Sequence, residues 1–320
     1  MVEVGEPAQR GSVPIGLTIG VGLVVGALAV LLWLKHQRRV ARNERPPQKA
    51  KLLRPPGYSL LKRLDQLDTK FLSAVLEIMV AGAIFGIGII GLYPILKGLA
   101  SHHFTLTQLR TEPGFFVLLW GAVITLASIL SIVHGLARIS KFLDDWRNCV
   151  LGRRGEQAVA EALAKGEVIK AGYVSFHDVP GDGPWNIDHA VVGPGGIFVL
   201  ETKTRSRRKA IRNQEEHKVF FDGRTLQFPW CDDHNAAKQA ERNSSWVREF
   251  VAGFAPTGMI VHPVVVVPGW WVESQGNYPV KAMNAEYLLG YIISSKARFT
   301  PQQLQPVLRR FEERCRTVEF

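Results

Sequence analysis

Cysteine is scarce in this chain: Cys149, Cys231 and Cys315 are the three among 320 residues. They are widely separated, none forms a C-x-x-C pair, and none stands with histidines at zinc-finger spacing. A disulfide framework and a structural zinc site are thereby excluded, and the thiols read as free groups in a reducing compartment. The chain also lacks a Walker-type phosphate loop, a glycine-rich dinucleotide turn after a strand and an H-E-x-x-H helix, which disfavours ATP hydrolysis, redox cofactors and zincin proteolysis. No base-reading motif is present. A cleavable signal peptide is disfavoured as well, because the basic cluster follows the first apolar run instead of preceding it.

What the chain has is apolar length and positive charge. Hydrophobic residues make up 47% and the formal charge is +11, with a mean hydropathy just above zero, which is high for a soluble protein. Val13 to Leu34 carries no charge and ends in Trp33 followed by Lys35, Arg38, Arg39 and Arg42. That is long enough to span a bilayer. Two further runs, about 74–96 and 115–136, are apolar on every face except for Glu77, and the alternative for them is a buried helical hairpin in a soluble protein. Gly82, Gly86 and Gly91 suit close helix contacts of the small-xxx-small kind.

Orientation follows from the basic residues. Lys35 to Lys70 holds eleven Lys and Arg, whereas Lys97 to Pro113 holds two, so the first connection is expected inside and the amino terminus and the His102-His103 loop outside. Within the basic loop, at 35–73, L-L-K-R-L-D-Q-L-D at Leu60 to Asp68 has helical leucine spacing, and its lysines and arginines suit anionic lipid. The expected organisation is an all-α membrane region over 1–149 with three transmembrane helices, then a cytoplasmic α/β domain with a mixed central sheet over 150–320. The lipid bilayer, expected to be a bacterial inner membrane, is the first partner.

The carboxyl-terminal part alternates strand and helix patterns. Gly152 to Lys165 reads as a helix with Val159 and Leu163 on its apolar side, Tyr173 to Val179 as a strand, and Phe220 to Phe228 as a hairpin about Asp222-Gly223. Asp233 suits the start of a helix running to about Val251. The β-branched run Val261 to Val267 reads as a central strand, and 285–294 and 301–316 as helices, the latter with the apolar stripe Leu304, Val307, Leu308 and Phe311.

The stretch from Asp188 to Lys203, D-H-A-V-V-G-P-G-G-I-F-V-L-E-T-K, carries the chemistry. A turn at Gly193 to Gly196 puts Val192 opposite Ile197, Ala190 opposite Val199 and Asp188 opposite Glu201. Alternation along a strand sets Glu201 and Lys203 on one face. Two adjoining carboxylates repel unless a hard divalent cation bridges them, and the ammonium beside them suits water activation. The bland alternative is a solvated hairpin end.

Asp188 with Glu201-x-Lys203 resembles the PD-(D/E)xK core of restriction-endonuclease-like enzymes, although Ile187 and not proline precedes Asp188. With G-R-R-G-E at Gly152 to Glu156 before it and K-Q-A-E-R-N at Lys238 to Asn243 after it, the order resembles the nuclease-related domain (NERD) family over roughly 150–270. The resemblance implies a Mg2+- or Mn2+-dependent phosphodiesterase in which Asp188, Glu201 and Glu156 hold the metal and Lys203 positions water. Glu156 is equally a first-turn glutamate favoured by a helix dipole. Arg205, Arg207, Arg208 and Lys209 suit nucleic-acid phosphates or, alternatively, the anionic leaflet. Gln239 suits a phosphate or a water, or is a polar residue on an amphipathic helix. Besides a nuclease, a non-catalytic module binding nucleic acid or protein, and a sensing unit regulated by the soluble domain, remain readings of the same sequence.

Overall fold

The computed structural model describes residues 51–100, 114–211 and 215–319. The first expected span, the first part of the basic loop, the His102-His103 pair and Arg212 lie outside them. The chain divides into two compact units. One holds the described residues within Gln66–Asp145, and the other joins the stretch ending at Asp65 to everything from Trp146.

Strand β1 (Lys51–Leu53) is followed by helix α1 (Tyr58–Ala100) and then by helix α2 (Gly114–Leu163). Both helices exceed the lengths expected from sequence. Neither 58–73 nor 137–151 contains a proline or glycine, so nothing stops the helix at the ends of the apolar runs. The leucine-spaced segment 60–68 is thus the opening of α1, and the separate helix expected from Gly152 is the end of α2. Among the described residues, Tyr58–Ile90 and Leu119–Leu163 are long and apolar enough to cross a membrane by length and composition.

In the helical unit the close contacts fall on other glycines than expected. A Cβ at Gly82 or Gly86 would meet nothing within 4 Å, whereas one at Gly88 would lie 2.9 Å from Thr125 Oγ1, one at Gly121 2.6 Å from Leu92 and one at Gly135 2.5 Å from Ile78. The reason is register. The buried positions Ala74 and Ala81 on α1 and Ser128 on α2 follow a seven-residue repeat through Gly88 and through Gly121 and Gly135, and buried Leu92 lies one turn beyond Gly88. Gly82 and Gly86 stand off that stripe.

The second unit is an α/β domain with mixed sheets. After α3 (Gly166–Lys170) come β2 (Val174–Pro180), β3 (Asn186–Gly193), β4 (Gly196–Thr202), β5 (Lys218–Phe221), β6 (Leu226–Gln227) and β7 (Asp232–Asp233). Helix α4 (Ala236–Val251), β8 (Val261–Val266), β9 (Trp271–Ser274), β10 (Lys281–Met283), α5 (Ala285–Ile293), α6 (Pro301–Cys315) and β11 (Arg316–Glu319) complete it. The main sheet runs β10-β8-β4-β3-β2, with β8 parallel to β4 and β10 and the β2-β3-β4 meander antiparallel. Pro263 is tolerated inside β8 because β10 begins only opposite Val264, so the missing N–H falls where β8 has one neighbour.

One sheet face packs Ala190, Val192, Ile197 and Val199 against Val247 and Val251 of α4 and Leu304, Val307 and Phe311 of α6. The other packs Val191, Phe198 and Leu200 against Val159 and Leu163 of α2 and Leu288 and Ile292 of α5. Each such side chain, fully withdrawn from water, contributes about 1.5–3 kcal/mol, and this two-sided cover makes the β3-β4 hairpin a rigid mount. A smaller sheet, β7-β6-β5-β9, rests on the first turns of α4 and the end of β8 through Val219, Phe221, Phe228, Ala237 and Val265. Strand β1 pairs with β11, which brings residues 51–53 into this domain.

Candidate active site

The β3-β4 hairpin has the expected register, with Val192 opposite Ile197 and Ala190 opposite Val199. Its turn is tighter than the tetrad, because Gly193 and Gly196 still pair and only Pro194 and Gly195 cross over. Gly196 has φ of +129°, and a Cβ there would lie 2.5 Å from the Ile260 carbonyl oxygen, so glycine is required. At the other end, where the ladder stops at His189 and Leu200, Asp188 and Glu201 are the next residues of their strands.

There Asp188 Oδ2 accepts from the Thr202 amide at 2.7 Å. Lys203 Nζ donates to Glu201 Oε1 at 2.8 Å and to Gln239 Oε1 at 2.9 Å. Asn243 Nδ2 donates to the second Glu201 oxygen at 3.1 Å. Gln239 and Asn243 are four residues apart on α4, hence on one face of that helix. Both reach the strand end from above the sheet face that α4 covers.

Glu156 arrives from the last turns of α2, and Gly155 is what lets it approach. A Cβ on Gly155 would lie 1.7 Å from Thr204 Oγ1, so any larger residue would push the helix away from the strand end. Glu156, Asp188 and Glu201 are all buried. Burial, then the charges of Asp178 and Glu201, push the Glu156 carboxyl up to about 8. Burial followed by the charges of Glu201 and Glu156 lifts Asp188 well above the usual carboxylate range. Burial also raises Glu201, against the opposing pull of Lys203.

Three buried oxygens here, Glu156 Oε2, Thr202 Oγ1 and Thr204 Oγ1, have no hydrogen-bond partner. Orphaned polar atoms in a folded interior call for a water or a ligand. The oxygens that could hold a hard cation are therefore those of Glu156, Asp188 and Glu201. Among the described residues, no group of three or more His, Cys, Asp or Glu side chains is gathered closely enough to hold an ion as it stands.

The basic run leaves the site as an irregular strand after Thr202. Arg205 Nη2 lies 3.0 Å from Asp233 Oδ2, and its carbonyl accepts from Trp270 Nε1 at 3.2 Å. Asp233, at the end of β7, in turn accepts from the amides of Asn235 and Ala236 and holds Arg205, so it ties the basic run to the entry of α4. The N-cap of that helix is Asn235 and not the expected Asp233. Arg207, Arg208 and Lys209 are exposed. Asp188, Glu201, Lys203 and Gln239 thus meet at one strand end, with Glu156 on the turn of α2 whose Gly155 lies against Thr204, while Arg207 to Lys209 trail from it into solvent.

Sequence reasoning passed over Asn243 and Asp178. The first had a signal, since the K-Q-A-E-R-N segment puts it one helical turn beyond Gln239. Asp178, fully buried and with φ of +49°, had none, because its partners come from residues 54–59.

Residues 151–268 match the family model described as nuclease-related domain, NERD. No curated protein and no solved structure matches the chain.

Proposed function

We propose that the nuclease-related domain at 151–268 hydrolyses phosphodiester bonds of DNA or RNA with Mg2+ or Mn2+, tethered at the cytoplasmic face of a membrane. The observation that carries this reading is the set of three buried, mutually repelling carboxylates beside one lysine at the end of the β3-β4 hairpin. Asp188, Glu201 and Glu156 would hold the ion. A bound divalent cation supplies charge neutralisation at phosphate and a lowered pKa for water.

The remaining work belongs to the chain. Lys203 has three N–H donors and gives two to Glu201 and Gln239, which aims the third at a water or a phosphate oxygen. Asn243 fixes the Glu201 carboxylate from the other side. Arg207, Arg208 and Lys209, with Arg205 braced on Asp233, attract the phosphate backbone without reading bases. The residues before about 150 anchor the enzyme, with the basic connection inside and the amino terminus outside.

A second reading is favoured by one fact: Asp188 Oδ2 and both Glu201 oxygens already accept from protein donors. That arrangement suits a non-catalytic module that binds nucleic acid or protein beneath the membrane. Purified full-length protein in detergent is expected to degrade nucleic acid with Mn2+ or Mg2+ and to stop on addition of EDTA. Binding of nucleic acid without cleavage under any divalent cation would select the module instead.

A further inference from the structure

Asp178 and the turn of α2 that carries Glu156 both meet one short stretch that is remote from them in sequence. Arg54 Nη1 lies 2.9 Å from Asp178 Oδ2, and Arg54 Nε donates to Thr317 Oγ1 at 2.7 Å. The Ser59 amide donates to Asp178 Oδ1 and the Ser59 hydroxyl to Oδ2, each at 2.9 Å. Asn186 Nδ2 adds a fourth donor at 3.1 Å. Between them, Gly57 lies against the end of α2 that carries Glu156. Gly57 has φ of +73°, and a Cβ there would lie 2.8 Å from Arg153 Cγ, three residues before Glu156.

A fully buried carboxylate on a backbone with positive φ persists only where its surroundings over-determine it. Here three of the four donors are supplied by Arg54 and Ser59, and the same stretch packs on the turn of α2 that carries Glu156. Strand β1, which pairs with β11, and the Arg54 amide, which bonds the Cys315 carbonyl at 3.1 Å, pin the start of the stretch to the domain. Ser59 is the second residue of α1.

We propose that Arg54 to Ser59 is a strap that completes the acidic site: Arg54 and Ser59 lock Asp178 in place, and Gly57 seats the turn of α2 that carries Glu156. They are positioning residues, and the site of a domain matched at 151–268 is thereby finished by the stretch that leads into α1. The inference rests on the hydrolytic reading above. It places dependence on the strap in cation binding and turnover, since no strap residue touches the basic run that would hold the nucleic acid.

The test uses the full chain in detergent, with Mn2+ binding followed by electron paramagnetic resonance and cleavage kinetics measured alongside. Ser59→Ala, which removes one hydroxyl donor from Asp178, is expected to weaken Mn2+ binding by less than the roughly tenfold that loss of a partner bonded directly to a ligand costs. It should lower kcat with KM for nucleic acid unchanged, and Ser59→Thr should restore both. Arg54→Ala should act in the same direction and more strongly, with Arg54→Lys intermediate. Should Arg54→Ala fail to fold, the Ser59 pair decides. Folded Ser59→Ala protein that binds Mn2+ and turns over like the unaltered chain would overturn the strap alone, whereas an unaltered chain that neither binds Mn2+ nor cleaves would overturn the hydrolytic reading and the strap with it.

Discussion

Glu77 on α1 is surrounded by opposite charge and hydroxyls, whereas Asp188 at the end of β3 is surrounded by other acids. Glu77 Oε1 lies 2.8 Å from His134 Nδ1, Glu77 Oε2 lies 2.7 Å from Arg138 Nη1, and Arg138 Nη2 donates to Ser73. Every group in that helical cluster has a partner of the right kind. At the strand end, Glu201 alone of the three acids pairs with the lysine, and an oxygen of Glu156 has no partner. Asp178 sides with Glu77, since Arg54 and Ser59 satisfy it. The difference separates charge that holds a structure together from charge that is stored against a cost in stability, and only the second kind needs a cation to explain it.

The largest effect is therefore expected from Asp188→Asn. Removing that negative charge should abolish metal-dependent cleavage, on the order of a thousandfold, and at the same time raise the Tm of cation-free protein, because a repulsion is relieved. Nuclease assays and thermal unfolding in EDTA measure the two. A fall in Tm would mean that Asp188 is a structural acid like Asp178, and the contrast between the clusters would be lost.

Gly155→Ala comes next, because it attacks the approach of the acids and not their charge. With Thr204 Oγ1 only 1.7 Å from the new methyl position, the helix must shift or the threonine must turn. Overpacking of this kind costs about 1–3 kcal/mol. Thermal unfolding should show that loss, and Mn2+ binding should weaken as Glu156 recedes. Undiminished Mn2+ affinity would remove Glu156 from the set of ligands.

That same glycine marks what could be read in advance. The G-R-R-G-E, D-H-A-V-V and E-T-K segments each bring their chemistry within a few residues of a structural signal, so the hairpin, its register and the meeting of Asp188, Glu201 and Lys203 follow from alternation about a tight turn. Helix length did not follow, because apolar runs mark where lipid or core would lie and not where hydrogen bonding stops. Residues 60–73 and 137–151 simply carry the helices on. Of the second sheet only the β5-β6 hairpin about Asp222-Gly223 was legible; β7, β9 and the β1-β11 pair were not, for a different reason. Strands of two to four residues are too short for a period to register, and the partners of β1 lie at the opposite end of the chain.

The pH dependence sharpens the comparison further. Glu156 titrates at about 8 in the folded protein against a reference of 4.5, so between those values the native state holds a proton that the unfolded chain has lost. The Glu156 contribution to the stability of the cation-free protein, read as the difference from Glu156→Gln, should accordingly fall as pH rises from about 4.5 to about 8 and level off above. Buried His177, pushed down to about 4, by contrast adds a contribution that grows with pH up to the ordinary imidazole range. A cation must displace the Glu156 proton, so its affinity should rise across the same window, by up to about tenfold per pH unit for each proton released. Thermal unfolding with and without Mn2+ at several pH values reads both trends. A difference from Glu156→Gln that stays flat through this window would place the Glu156 carboxyl in the ordinary range and deny that it is held under strain.

The smallest expected effect completes the contrast from the other side. Glu77→Gln takes away a charge that already has its counter-charges, and leaves His134 and Arg138 facing an amide. The helical unit should lose a little stability, read as a modest fall in Tm in detergent, while Mn2+ binding and cleavage by the α/β domain stay as they were. The reason for expecting silence at the site is that the partners of Glu77, namely Ser131, His134 and Arg138, all lie within the helical unit. The strap, by contrast, takes all its partners from the α/β unit. If Glu77→Gln lowered Mn2+ affinity as Ser59→Ala is expected to do, the helical cluster would have to be counted among the supports of the acidic site. The division between balanced and unbalanced charge would then no longer divide the functions of the two regions.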